Sequence, residues 1–255
     1  VCTPSTANSS AKTVTYTLTA TDISSGSATV TGLEPETSYR ATLKLGEKTR
    51  GYSTFTTNLD LRDAIQLTPT DDWVTAIQDA AAGSKFALAA GEYTLTSAKL
   101  QINNNVTIAA QNSGNLPVIN TCIHINNGSS LYLYQVVMDG TGTDGSQAIE
   151  YKTAGGFGDL IISGSEIRNY VKGLIYINVA AVANTIKIEN SIIHDIECSG
   201  GDFIDSRSGG WNNLIISSST FYSCSAKRDI LRADDASSTV SYTHLRAHET
   251  LSDLV

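Results

Sequence analysis

Short stretches with an apolar residue at every second position recur along the chain: Val106-Thr-Ile108, Leu131-Tyr-Leu133, Leu160-Ile-Ile162, Ile186-Lys-Ile188 and Leu214-Ile-Ile216. Their first residues are 25, 29, 26 and 28 positions apart. In the last three copies a serine stands five residues after the first apolar one (Ser165, Ser191, Ser219), and another apolar residue follows two positions later (Ile167, Ile193, Phe221). A constant core with an unequal step marks stacked supersecondary units, each burying its apolar side against its neighbours while turns absorb the length differences. The period of two makes these elements strands and excludes a helical solenoid.

Polar, glycine-rich stretches such as Ser199-Gly-Gly-Asp202 and Ser206-Arg-Ser-Gly-Gly210 separate the copies and suit turns. Each copy holds a second apolar run: Cys122-Ile-His-Ile125, Ala148-Ile-Glu-Tyr151, Leu174-Ile-Tyr-Ile177, Phe203-Ile204 and Ile230-Leu231. Several short strands per step of this length predict an all-β chain coiled as a right-handed parallel β-helix. The competing architecture is an antiparallel sandwich, which also shows short strands at regular spacing.

Upstream, Asp71-Asp72 can N-cap a helix from Trp73 to Ala82 closed by Gly83, with Trp73, Ile77, Ala80 and Ala81 on one face. Such a helix would cover the open end of a coil, whose first rung otherwise exposes its interior and unpaired strand edges. Gly83-Ser-Lys-Phe-Ala-Leu88 and Ala90-Gly-Glu-Tyr-Thr-Leu95 follow. This order resembles the entry of pectin-lyase-like β-helix proteins, where an amphipathic helix precedes a strand and a Gly-x-Tyr turn, and it extends over residues 71–239.

Residues 1–57 differ: they are rich in Thr and Ser, with alternating strands expected at 13–18 and 39–43. Gly32-Leu-Glu-Pro-Glu-Thr-Ser-Tyr39 resembles the tyrosine-corner region of fibronectin type III domains, and Gly51-Tyr-Ser-Thr-Phe-Thr-Thr57 resembles the last strand of such a module. A complete sandwich needs roughly 100 residues, so the C-terminal portion of a module is expected here, with 58–70 as linker. Residues 240–255 break the composition of the repeat. They resemble a translated transposon-type sequencing adapter: GTC TCT TAT ACA CAT CTC CGA GCC CAC GAG reads Val240 through Glu249. The expectation is a non-native tail following a β-helix cut at Thr239, and His244 and His248 are given no role.

Without that tail the chain carries 16 Lys+Arg (17 less Arg246) and 23 Asp+Glu (25 less Glu249 and Asp253), a net charge of −7. That acidity argues against a nucleic-acid partner, which needs a basic face. No apolar run reaches the roughly 18 residues of a membrane span. Cys2, Cys122, Cys198 and Cys224 form no Cys-x-x-Cys spacing, so zinc and thioredoxin-like chemistry lack support. Cys198 and Cys224, one repeat apart, can stack as neighbours, with buried free thiols the commoner outcome.

The densest polar constellation is Gly201-Asp-Phe-Ile-Asp-Ser-Arg207 with Lys227-Arg-Asp-Ile-Leu-Arg-Ala-Asp-Asp235. Aligning Ile204 with Leu231 stacks Asp205 on Arg232 and Arg207 on Asp234, and the preceding repeat places Tyr176 and Asn178 in the same two columns. One reading is cross-strand ion pairing on a solvated face. The other starts from elimination across a uronic acid, which needs a cation on the sugar carboxylate and a base within reach of the adjacent proton. On that reading Arg207, Lys227 and Arg232 are the catalytic candidates. Tyr176, Asn178, Asp205, Arg228 and Trp211 contact substrate, and Asp202, Asp205, Asp234 and Asp235 could ligate Ca²⁺. Tyr132, Tyr134, Trp211 and Tyr222 are candidate sugar-stacking platforms. His124 is expected on the outside of a strand and His194 at a corner, neither with the partners of a catalytic triad.

A fibronectin III-like module followed by a pectin-lyase-like coil resembles secreted or surface proteins of polysaccharide-utilising Gram-negative bacteria. The resemblance implies association with glycans, acidic ones included. The fold hosts lyases, hydrolases, adhesins and spacers alike, so a polysaccharide lyase and a non-catalytic adhesin or stalk both stand.

Overall fold

The computed structural model describes residues 1–5, 11–57, 59–234, 239–243 and 246–248, and it divides into two compact units, Val1–Arg62 and Asp63–Val255.

The first unit is built on an antiparallel sheet of Cys2–Pro4, Ser38–Leu45 and Lys48–Thr56. Tyr39 is buried against Phe55, with ring centroids 6.0 Å apart, and its hydroxyl accepts a hydrogen bond from the Glu34 amide at 3.1 Å. The strand expected at 13–18 does not form. Val14 makes one bridge to Cys2, Tyr16 and Leu18 stay exposed, and Thr19 caps a helix, Ala20–Ser25. Thr19 and Asp22 exchange side-chain-to-amide bonds of 2.8 and 3.2 Å, so local capping takes this segment where no sheet edge buries its alternating face.

The second unit is a β-solenoid of about six turns. All its strand pairings are parallel among the described residues, which removes the antiparallel sandwich. One stack runs through Ile65–Leu67, Ser84–Leu88, Val106–Ala110, Leu131–Tyr134, Gly155–Ser163, Ala181–Glu189, Gly210–Ser217 and Thr239–Thr243. The other sheet carries two further faces, which Glu92–Ile102 and Val118–Ile125 both traverse. Interior columns are continuous: Ile108, Leu133, Ile162, Ile188 and Ile216 pair in succession, as do Val106, Leu131, Leu160, Ile186 and Leu214, and all ten are buried. A rung therefore gains its apolar burial only from the rungs beside it.

The recurring serine is explained at the corners. Ser191 Oγ accepts from the Ser165 amide, Ser219 Oγ from the Ser191 amide and Ser165 Oγ from the Val136 amide, each at 3.2 Å. Each hydroxyl donates back to its own corner, to Ser163, Glu189 or Ser217 carbonyls. The residue before each corner position (Gln135, Gly164, Asn190, Ser218) has a φ of 49–59°. This left-handed step turns the strand, and the buried ladder holds non-glycine residues in a conformation they otherwise avoid.

The helix at the entry is Trp73–Gln78, shorter than the span expected to Ala82. Asp72 accepts from the Thr75 amide, whereas Asp71 accepts from the Thr68 amide. Gly83, at φ 87°, donates its amide to the Asn105 carbonyl, so residues 79–83 serve the step into Ser84–Leu88 instead of extending the helix. Trp73 meets Tyr93 edge-on at 5.7 Å and Ile77 is buried. The four cysteines are free; Cys224 pairs with Ile196 and Cys198 with Ala226, so the two are offset and do not stack.

Candidate functional site

Three consecutive strands of one face, Ile175–Ile177, Ile204–Ser206 and Leu231–Ala233, carry the polar constellation. Ile175 pairs with Ile204 and Ile204 with Leu231, and the alternation places Tyr176, Asp205 and Arg232 in one column on the opposite side. The Arg207 amide bonds the Ile177 carbonyl and the Asp234 amide the Ser206 carbonyl, which sets Asn178, Arg207 and Asp234 in the next column. The Asp202 and Asp205 side chains, at 1% and 4% exposure, lie beneath arginines that remain a third to a half accessible.

The pairing is bidentate throughout. Arg207 donates to Asp205 through Nε at 3.0 Å and Nη2 at 2.7 Å, Arg228 to Asp202 at 3.2 and 2.7 Å, and Arg232 to Asp234 at 3.0 and 2.6 Å. Asp202 also accepts from the Asp229 amide at 3.1 Å and faces Arg232 Nη1 at 3.9 Å, while Arg228 Nη2 lies 3.9 Å from Asp205. Gly201 makes room for this convergence, since a Cβ there would stand 3.2 Å from Arg228 Nη2 and 3.5 Å from Arg207 Nη2. Asp205 hydrogen bonding raises the Arg207 guanidinium further, Asp234 does the same for Arg232, and Arg232 in turn lowers Asp234. The Arg207 guanidinium sits 5.4 Å from the centre of the Tyr176 ring.

Asn178 is exposed beside the cluster, and Lys227 is exposed after the strand Thr220–Ala226, its ammonium without a partner among the described residues. Trp211 requires a correction: it is fully buried and offers no platform to a sugar. Its column neighbour on the preceding rung is Ala183, and this small side chain leaves the coil interior room for an indole. The Ca²⁺ set does not fit among the described residues: Asp202, Asp205 and Asp234 spend their oxygens on guanidinium groups, and no group of three described His, Cys, Asp or Glu is placed to hold a metal ion. Asp235 lies outside the described residues.

The Asp205 column continues back along the coil as Tyr176, Glu150, His124 and Gln101. His124 lies 3.5 Å from Glu150 through Nε2, and Lys152 donates to Glu150 at 2.8 Å. Burial opposes ionisation of Glu150, but His124 and Lys152 outweigh it and lower its pKa.

A second polar cluster, on the other face of that sheet, escaped the sequence reading. His194 Nε2 is 3.0 Å from Glu166, its Nδ1 is 2.6 Å from Asp195, and its ring stacks on Tyr222 at 4.7 Å and 7°. Arg168 bridges Glu166 at 2.5 Å and Asp139 at 2.8 Å. Burial works against ionised Asp139, but bonds from Thr141, Arg168 and Asn169 bring it down to about 2. The signal was available in the alignment of Ile167, Ile193 and Phe221, which puts Arg168, His194 and Tyr222 in one column.

The chain belongs to the family described as domain of unknown function DUF4957, whose model matches residues 91–224, just over half of the chain. No curated protein matches the sequence. Among solved structures it is similar to the PL6 family alginate lyase AlyGC, with 20% identity and a TM-score of 0.52, covering 72% of this chain and 29% of that one. A point mutant of the same lyase aligns at 16% identity with a TM-score of 0.36, covering 71% and 39%. This chain therefore spans under a third of the length of the first lyase, and the likeness establishes a shared β-helix fold.

Proposed function

We propose that this protein binds acidic polysaccharide on the outer face of its coil, at Arg207, Arg228 and Arg232 with Tyr176 and Asn178, and processes it as a lyase. The observation that carries the reading is the convergence of three guanidinium groups that each spend the Nε–Nη2 edge on an aspartate, leaving every Nη1 without a hydrogen bond among the described residues. A guanidinium edge of this kind matches a sugar carboxylate. In the lyase reading Arg207 and Arg232 neutralise that carboxylate, Lys227 in its neutral amine form takes the proton from the carbon bearing it, the freed electron pair forms a C=C bond as the neighbouring C–O bond breaks, and solvent protonates the leaving oxygen. The fold shared with an alginate lyase supports a polyuronate as the polymer class. A secreted or surface location follows from such a substrate. The Tyr39–Glu34 hydrogen bond supports reading the first unit as part of a fibronectin III-like module.

The rival reading is a non-catalytic adhesin or stalk. The bidentate pairing of all three arginines favours it, since an ion-paired sheet face needs no ligand. Incubation with polygalacturonate and with alginate separates the two. Unsaturated products absorbing in the near ultraviolet, lost in Lys227→Ala, support the lyase. Retention of intact polymer with no such product leaves a binding module, and neither retention nor product returns the cluster to an ion-paired face.

A further inference from the structure

We infer that Asp202 and Asp205 are positioning residues, whose buried carboxylates aim Arg228, Arg232 and Arg207 at an anionic sugar; this rests on the acidic-glycan reading above. An acidic residue within an anion site ordinarily weakens it by repulsion. These two sit below the guanidinium layer instead. Asp202 is nearly inaccessible and takes bonds from Arg228 Nε at 3.2 Å, Arg228 Nη2 at 2.7 Å and the Asp229 amide at 3.1 Å, with Arg232 Nη1 at 3.9 Å. Asp205 takes both donors of the Arg207 fork and has Arg228 Nη2 at 3.9 Å. Arg228 thus lies between two fixed carboxylates, one of which is hydrogen-bonded to backbone. A long side chain held this way loses little further freedom when ligand arrives, so binding keeps more of the contact energy. The occupant this arrangement suits is a planar carboxylate that can take two parallel N–H bonds from a free guanidinium edge.

The sign of one substitution separates aiming from charge. Asp202→Asn removes a negative charge from an anion site, so a purely coulombic cluster would bind polygalacturonate equally or more tightly. Aiming predicts weaker binding, by roughly 10-fold or more, the size of loss seen when the partners that orient metal-binding side chains are removed. Glu197→Gln is the control: it is exposed on Ile192–Cys198, outside the arginine cluster, and its carboxylate makes no ion pair among the described residues, so its loss should leave binding equal or slightly tighter. Arg228→Lys covers the case in which Asp202→Asn does not fold, because it keeps the charge while losing the fork and should weaken binding to a similar extent. Thermal melts of each variant confirm that the folded protein is being titrated. If the unaltered protein binds and Arg207→Ala abolishes binding, yet Asp202→Asn and Arg228→Lys bind as well as before, this inference falls while the glycan reading stands. Failure of the unaltered protein to bind overturns both.

Discussion

Replacing Ser191 by alanine tests the corner ladder that gives the repeat its most regular feature. The hydroxyl does two things: it accepts from the Ser165 amide at 3.2 Å and donates to the Glu189 carbonyl at 2.7 Å. Glu189 keeps a second partner in the Gly164 amide at 3.1 Å, so its carbonyl stays satisfied. The Ser165 amide has no other acceptor among the described residues, and Ser165 is buried. An orphaned buried donor costs about 1–3 kcal/mol, against about 0.5–1.5 kcal/mol for an ordinary hydrogen bond, so the orphan dominates. At about 2–4 °C per kcal/mol for a unit of this size, Tm should fall by roughly 2–12 °C. Denaturant and thermal melts of Ser191→Ala, with exposed Ser225→Ala as control, read this directly. Ser219→Ala should cost a similar amount, because it strips the Ser191 amide, and the double variant should depart from the sum of the two, because the serines are hydrogen-bonded neighbours in one ladder. A Ser191→Ala protein as stable as the Ser225→Ala control would refute the ladder as a source of stability.

Ile188 lies fully buried between Ile162 and Ile216, so Ile188→Ala should cost about 2–5 kcal/mol, and a near-neutral denaturant midpoint would mean the column is not packed. Trp211→Ala should cost about 3–5 kcal/mol for the same reason, where a surface platform would cost almost nothing. Asp139 is lowered from 3.8 to about 2, so its contribution of roughly 2 kcal/mol is complete above pH 4 and fades as the pH falls toward 2. Asp139→Asn should flatten the acid limb of the stability profile in that window; an unchanged limb would contradict the assignment.

The coil was legible because its interior repeats in a form that sequence displays: apolar residues two apart, at a nearly constant step, with a serine at a fixed offset. The register of the candidate site was legible for the same reason, since Ile204 and Leu231 are interior residues and carry Asp205 and Arg232 with them. What side chains do beyond their column was not legible. Trp211 read as an outer platform because nothing local announces that Ala183 on the adjoining rung leaves space for it. The His194 cluster depends on Glu166, in the outer column next to that of Arg168 and diagonal to His194, and on Asp195 being held at φ 51°, a backbone state that composition does not reveal. Residues 13–18 alternate like a strand, yet the Thr19–Asp22 capping box competes with a sheet edge that tertiary structure does not supply.

The most direct measurement of the central claim is the affinity of the folded protein for polygalacturonate across a salt series, alongside Arg207→Ala and Arg232→Ala. The account predicts binding that weakens steadily as salt rises and that each substitution abolishes, with folding intact. Binding indifferent to both arginines, or no retention of any acidic glycan by the folded protein, would contradict it.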